Sequence, residues 1–138
     1  LAPPHLAIDL PQRRVDCGGK PVQLPAAQLA WLAWWAQQRQ QERGPQTWRS
    51  ADVSAFLRLY RHLVGPASAA YENTVDRLKD GMEKEFFEQN NSKLERALKT
   101  QLGPAAAPYL LATSGKRPHT ARSLSLDAQA ITVGCGLL

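Results

Sequence analysis

Six cationic side chains fall in one stretch of the chain, Lys93, Arg96, Lys99, Lys116, Arg117 and Arg122, against the single acid Glu95. Their local sum of +5 equals the formal net charge of the whole 138-residue chain, so the remainder is neutral in sum. A concentration of this kind is the footprint of a surface that meets phosphate, although solvated basic patches also occur on proteins that bind none. The lysines offer point charges to phosphate oxygens. Arg96 is the best placed to read guanine, because its planar fork can donate twice to one base edge. Immediately ahead stand Asn90, Asn91 and Ser92, all good N-cap residues, at a point where the free N–H groups of a starting helix favour a phosphate oxygen. Lys116, Arg117, His119 and Arg122 form a second cationic group, in which His119 has neither a carboxylate nor another histidine adjoining it in sequence.

Other chemistries find less support. The three histidines, His5, His62 and His119, lie in separate segments, and no nucleophile elbow, phosphate loop or metal-ligand spacing occurs. The chain is expected not to be an enzyme and to hold no cofactor and no metal. Cys17 and Cys135 stand alone near opposite ends and read as ordinary thiols. Acids in residues 68–88 alternate with lysines at helical neighbour distances, the pattern of surface ion pairs rather than of a general-acid site. Three tryptophans, Trp31, Trp34 and Trp35, can be imagined as a stacking platform for bases. At helical spacing beside leucine and alanine they are instead expected in the core, with Trp48 more exposed.

The elements that must position these groups follow from periodicity and breakers. Residues 6–10 and 14–17 alternate apolar with polar or small side chains, and Gly18-Gly19 leads into residues 20–24, which predicts a small antiparallel meander with Pro21 on an edge. Pro25 opens a helix whose run to Arg43 contains no other breaker and is apolar almost all round in its middle, implying a central helix. Gly44-Pro45 ends it. Ser50 is expected to cap a second helix, with Val53, Phe56, Leu57, Tyr60 and Leu63 on one face and Arg58, Arg61 and His62 away from it. Residues 68–88 predict one long third helix. Asn90-Asn91-Ser92 is expected to break it and to cap a fourth, with Leu94, Ala97, Leu98 and Leu102 inward and Lys93, Arg96 and Lys99 outward or nearly so. Residues 109–113 and 121–126 then read as two strands around a basic loop, and residues 130–133 as a strand that can return to the sheet.

This order, strands, helices, a cationic helix and a basic hairpin, predicts an α+β fold: a winged helix-turn-helix with an N-terminal β-meander, about four helices and a C-terminal wing hairpin. Residues 6–10, Arg13-Arg14-Val15, residues 19–25 and Leu29-Ala30-Trp31-Leu32 resemble the opening of response-regulator output domains. Residues 93–98 and the sequel from Tyr109 to Leu126 resemble the recognition helix and wing of that family. A fuller likeness, over nearly the whole chain, is to the C-terminal region of a CRISPR-associated family whose N-terminal half is a CARF-type domain that senses cyclic oligonucleotides. It is carried by Arg13-Arg14-Val15 with Gly19, by residues 92–98 with Gly103, and by Ala106-Ala107-Pro108-Tyr109-Leu110. The long third helix and the absence of a glycine-tyrosine ending to the wing depart from response regulators.

The resemblance implies a single domain over residues 1–138, the C-terminal part of a longer protein, that binds nucleic acid, double-stranded DNA foremost, within a bacterial antiviral system. A cyclic oligonucleotide would act only through a missing domain. In such folds the recognition helix enters the major groove and the wing lies along the neighbouring backbone. The alternatives are a protein-interaction module or homodimerisation platform that touches no DNA, and a response-regulator-like transcription factor. No apolar run approaches the roughly 20 residues that span a bilayer, and the N-terminus lacks a signal-peptide pattern, so a soluble, cytoplasmic domain without membrane contact is expected.

Overall fold

A computed structural model describes residues 3–134. Alternation at the start of the chain produces β1 (Leu6–Asp9), β2 (Arg14–Cys17) and β3 (Lys20–Val22), an antiparallel meander with Leu6 opposite Cys17 and Val15 opposite Val22. Gly18 and Gly19, both at positive φ, make the turn between β2 and β3. Leu6, Ile8, Val15, Cys17 and Val22 point to the core. The last described strand, β6 (Ile131–Gly134), does return: it pairs parallel with β1, placing Leu6 beside Ile131 and giving the order β3-β2-β1-β6.

Pro25 precedes α1 (Ala26–Gln40), the central helix, against which the second and fourth helices and strands of both sheets pack. Every residue from Leu29 to Ala36 is at most 1% exposed, as the apolar girth of this segment predicts. Trp31 sits at the centre of a ring cluster, 5.2 Å from Phe56, 5.4 Å from Trp34, 5.8 Å from Phe87 and 5.9 Å from Phe86, mostly edge to face. The helix stops at Gln40, three residues before Arg43, because Glu42 and Gly44 take positive φ in the turn that follows.

Three of the expected helix boundaries are corrected. Asp52, not Ser50, caps α2 (Val53–Val64), its carboxylate accepting from the Ala55 N–H at 3.2 Å; Ser50 lies too early in the chain and donates instead to Gln46 Oε1 at 2.8 Å. Arg58, Arg61 and His62 are exposed on this helix, as expected, while Phe56, Leu59, Tyr60 and Leu63 are buried. The single helix over residues 68–88 is in fact two. Ser68 caps α3 (Ala69–Arg77), which has no buried residue, and residues 78–83 form a connection in which Gly81 adopts φ 111°. In that connection Leu78 and Met82 turn into the core, and Arg77 pairs with Glu83 at 2.7 Å.

The third correction is the largest. Asn90, Asn91 and Ser92 neither break nor cap a helix but lie inside α4 (Lys84–Leu102). Asn91 Oδ1 accepts from Trp31 Nε1 at 2.8 Å and from Trp35 Nε1 at 3.1 Å, and Asn90 Nδ2 donates to the Phe86 carbonyl at 2.8 Å. Side chains that would otherwise compete for helical N–H groups are thus occupied elsewhere, and the helix runs on. After a 3₁₀ stretch (Gly103–Tyr109), β4 (Leu111–Ser114) and β5 (Ala121–Leu124) form an antiparallel hairpin with Leu111 opposite Leu124, both buried. The described residues form an α+β fold of four α-helices and two small sheets. No helix of the described residues is long and apolar enough to cross a membrane.

Candidate nucleic-acid interface

The hairpin is held at its base and closed tightly at its tip. Arg122 on β5 exchanges both backbone hydrogen bonds with Gln46, at 2.8 and 2.9 Å, so the loop after α1 adds a one-residue third strand. The Gln46 side chain is buried there and folds the loop around itself, donating to the Arg43 and Gly44 carbonyls and accepting from Ser50. At the tip the His119 N–H donates to the Lys116 carbonyl at 2.7 Å. Gly115 makes this closure possible: its φ is 79°, and a Cβ there would lie 2.7 Å from the His119 carbonyl oxygen. The tip therefore leaves Lys116, Arg117 and His119 exposed.

The same hairpin lies beside α4. The Arg122 guanidinium reaches Glu95 at 3.7 Å, and both side chains are partly covered. This one contact removes the only acid of the basic stretch from play. Among the described residues, Lys93, Arg96, Lys99, Lys116 and Arg117 have no carboxylate within 4.0 Å. On α4 the buried stripe is Phe87, Asn91, Leu94 and Leu98. Arg96, two residues past Leu94, stands about 200° round the helix from it and crowns the outer face. Lys99 lies on the flank of Glu95, four residues on, whereas Lys93 falls on the far flank. Ser92, Lys93, Arg96 and Lys99 are all exposed.

Not every residue expected at the interface reaches it. Asn91 is 2% exposed and is a core tether between α4 and α1, and Asn90 is half-buried against its own helix. Neither stands at a helix N-terminus, so the phosphate contact expected there has no basis. Arg122 is half-buried and already paired. Ser92 is exposed but likewise lies inside α4 rather than at its start, whereas Lys93, Arg96 and Lys99 lie exposed on α4 and Lys116, Arg117 and His119 at the hairpin tip.

The structure adds a concavity that the sequence did not suggest. A cleft of about 770 Å³ opens between the hairpin, the first turn of α4 and the loop after α1. Lys84, Phe87 and Glu88 form its helical wall, Arg117, His119 and Arg122 its hairpin wall, and Trp48 with Arg49 its third side. The Arg49 guanidinium stands 5.0 Å from the centre of the Trp48 ring. Trp48 is half-buried, in contrast to the sealed Trp31, Trp34 and Trp35. Trp48 and Arg49 come from a segment remote from the basic stretch, and Lys84 from the first turn of α4, ahead of that stretch. Only the unusual presence of a fourth tryptophan outside the helical pattern hints at them.

Elsewhere the titratable groups suggest no chemistry. Burial, helped by the neighbouring Asp16 carboxylate, pushes the Cys17 thiol up to about 12 from 9.0. A buried, protonated thiol of this kind is inert. Burial also raises Tyr109, opposed in part by a backbone hydrogen bond at His5. No group of three or more metal-ligating side chains occurs among the described residues. Cys135 lies outside them. Comparison with known proteins finds no family model, no curated protein and no solved structure that matches the chain.

Proposed function

We propose that this chain is a winged helix-turn-helix domain that binds duplex nucleic acid, DNA foremost, through the outer face of α4 and the β4–β5 hairpin. One observation carries the reading: five cations without an acid partner among the described residues sit on a helix and on a hairpin that the Arg122–Glu95 pair joins to it. Holding like charges together costs free energy unless an anion offsets them. On this reading α3, the connection containing Gly81 and α4 are the helix-turn-helix, α4 being the helix that enters the major groove, and β4–β5 is the wing. Arg96, on the crown of α4, reads a base edge. Lys93 and Lys99 contact phosphates on the two sides of it, while Lys116, Arg117 and His119 meet the neighbouring backbone.

The likeness to the CRISPR-associated CARF-type family belongs to the same proposal, with this chain as the DNA-contacting half and no catalytic role for it. The competing assignment is an assembly module. Chromatography on immobilised duplex separates the two: retention that collapses as salt rises supports nucleic-acid binding. Absence of retention together with an apparent size that grows with protein concentration would transfer the domain to the assembly reading.

A further inference from the structure

The cleft beside the hairpin is of the wrong shape for a duplex alone. At about 770 Å³ it falls within the range of concavities that enclose a whole organic ligand, about 300–1,000 Å³. Paired bases shut inside a double helix could offer it only phosphates and groove edges. Its lining holds four cations, Arg49, Lys84, Arg117 and Arg122, against the single acid Glu88. It also holds a half-buried indole, Trp48, with a guanidinium stacked near its ring. Cations gathered around an aromatic surface are the two ingredients of a site for one nucleotide whose base is unpaired: the charges hold the phosphate and the ring takes the base face.

We propose that this cleft binds a nucleotide with a free base, supplied either by an unpaired extension at the end of a strand or by a free nucleotide. The first source rests on the duplex-binding reading, and the second does not. The phosphate lies against Lys84 and Arg117, which face the cleft from opposite walls. The base lies against Trp48, with Arg49 displaced from the ring or stacked outside it. Glu88, which repels the phosphate, accepts from an amino group of the base. Thr47, Thr113 and Thr120 line the remaining surface.

The test uses fluorescence anisotropy with a short blunt duplex and with the same duplex carrying an unpaired deoxyadenosine extension, and tryptophan emission with AMP. The wild-type chain, Trp48→Leu and Lys84→Gln are compared, each checked for native circular dichroism. The extension is expected to tighten binding by about tenfold per stacked base, and both variants to bring the ratio of extended to blunt affinity close to one. Saturable, Trp48-dependent quenching by AMP without a gain from the extension supports the cleft and assigns it to free nucleotides. If the blunt duplex binds but neither the extension nor AMP adds anything, the cleft proposal is overturned and the duplex reading survives. If AMP or the extension binds while the blunt duplex does not, the duplex reading fails and the cleft stands. A gain that persists in Lys84→Gln, the exposed variant least able to disturb folding, also overturns the proposal.

Discussion

The two faces of α4 differ in what satisfies them. Its inner face is filled: Phe86 and Phe87 pack on Trp31, Leu94 and Leu98 are buried in the core, and Asn91 Oδ1 serves two indole N–H groups at once, although its Nδ2 has no partner among the described residues. Its outer face is incomplete, with Arg96, Lys93 and Lys99 lacking any acid partner among the described residues. On the proposed reading, one helix separates stability from recognition by a half turn. Substitutions on the two faces should dissociate cleanly, the inner ones affecting folding and the outer ones binding.

The largest effect is expected at the centre of the inner face. Trp31→Ala should lower unfolding free energy by about 3–5 kcal/mol, read by chemical denaturation. A loss well below that range would show that the ring cluster is loosely packed and that the contrast between the faces is overstated. Asn91→Leu comes next. It strands two buried indole donors at about 1–3 kcal/mol each, so the sum should reach several kcal/mol although a polar group has been exchanged for an apolar one. If Asn91→Leu were instead stabilising, the orphaned Asn91 Nδ2, which has no partner, would outweigh the two bonds that Oδ1 makes.

What the sequence revealed and concealed follows the same divide. The meander, the start of α1 at Pro25, the sealing of Trp31, Trp34 and Trp35 and the return of β6 rest on local alternation, turn residues and helical periodicity. The unity of α4 does not. Asn90-Asn91-Ser92 carries the chemistry of a helix start, and what overrides it is a pair of tryptophans about sixty residues away in sequence. The break at residues 78–83 was masked because Leu78 and Met82 keep helical spacing while turning inward around Gly81. For the interface, the cations of α4 and the hairpin were legible as charge. The cleft was not, since the Trp48-Arg49 pair is brought to it by the Gln46 to Arg122 bridge and Lys84 by a start of α4 that the sequence did not reveal.

A smaller effect sharpens the comparison from the sheet side. Cys17 is neutral in the fold up to about pH 12, whereas in the unfolded chain it ionises near its ordinary value of 9.0. The unfolded state therefore loses a proton first. Stability contributed by the protonated thiol is full below about pH 9 and falls by about 1.4 kcal/mol per pH unit above it. Cys17→Ala should flatten this alkaline decline, as followed by thermal melts from neutral pH upward. An unchanged decline would assign it to other groups, Tyr109 first. Smallest of all in stability are the outer-face changes. Lys116→Ala, Arg117→Ala and Arg96→Ala should each alter unfolding free energy by about 0.5 kcal/mol or less, since none has a partner to lose.

Those three variants also provide the most direct test of the central claim, that the unpaired cations of α4 and the hairpin bind duplex nucleic acid. Affinity for specific and scrambled duplexes is measured across a series of salt concentrations. Each phosphate contact contributes about 0.9 to the slope of log affinity against log salt, so Lys116→Ala and Arg117→Ala should weaken binding on every sequence and flatten the slope by about one unit. Arg96→Ala should instead lose about 1–3 kcal/mol of discrimination at one base pair. Four superimposable titrations, from the wild type and the three variants, would contradict the account and remove nucleic acid from this surface.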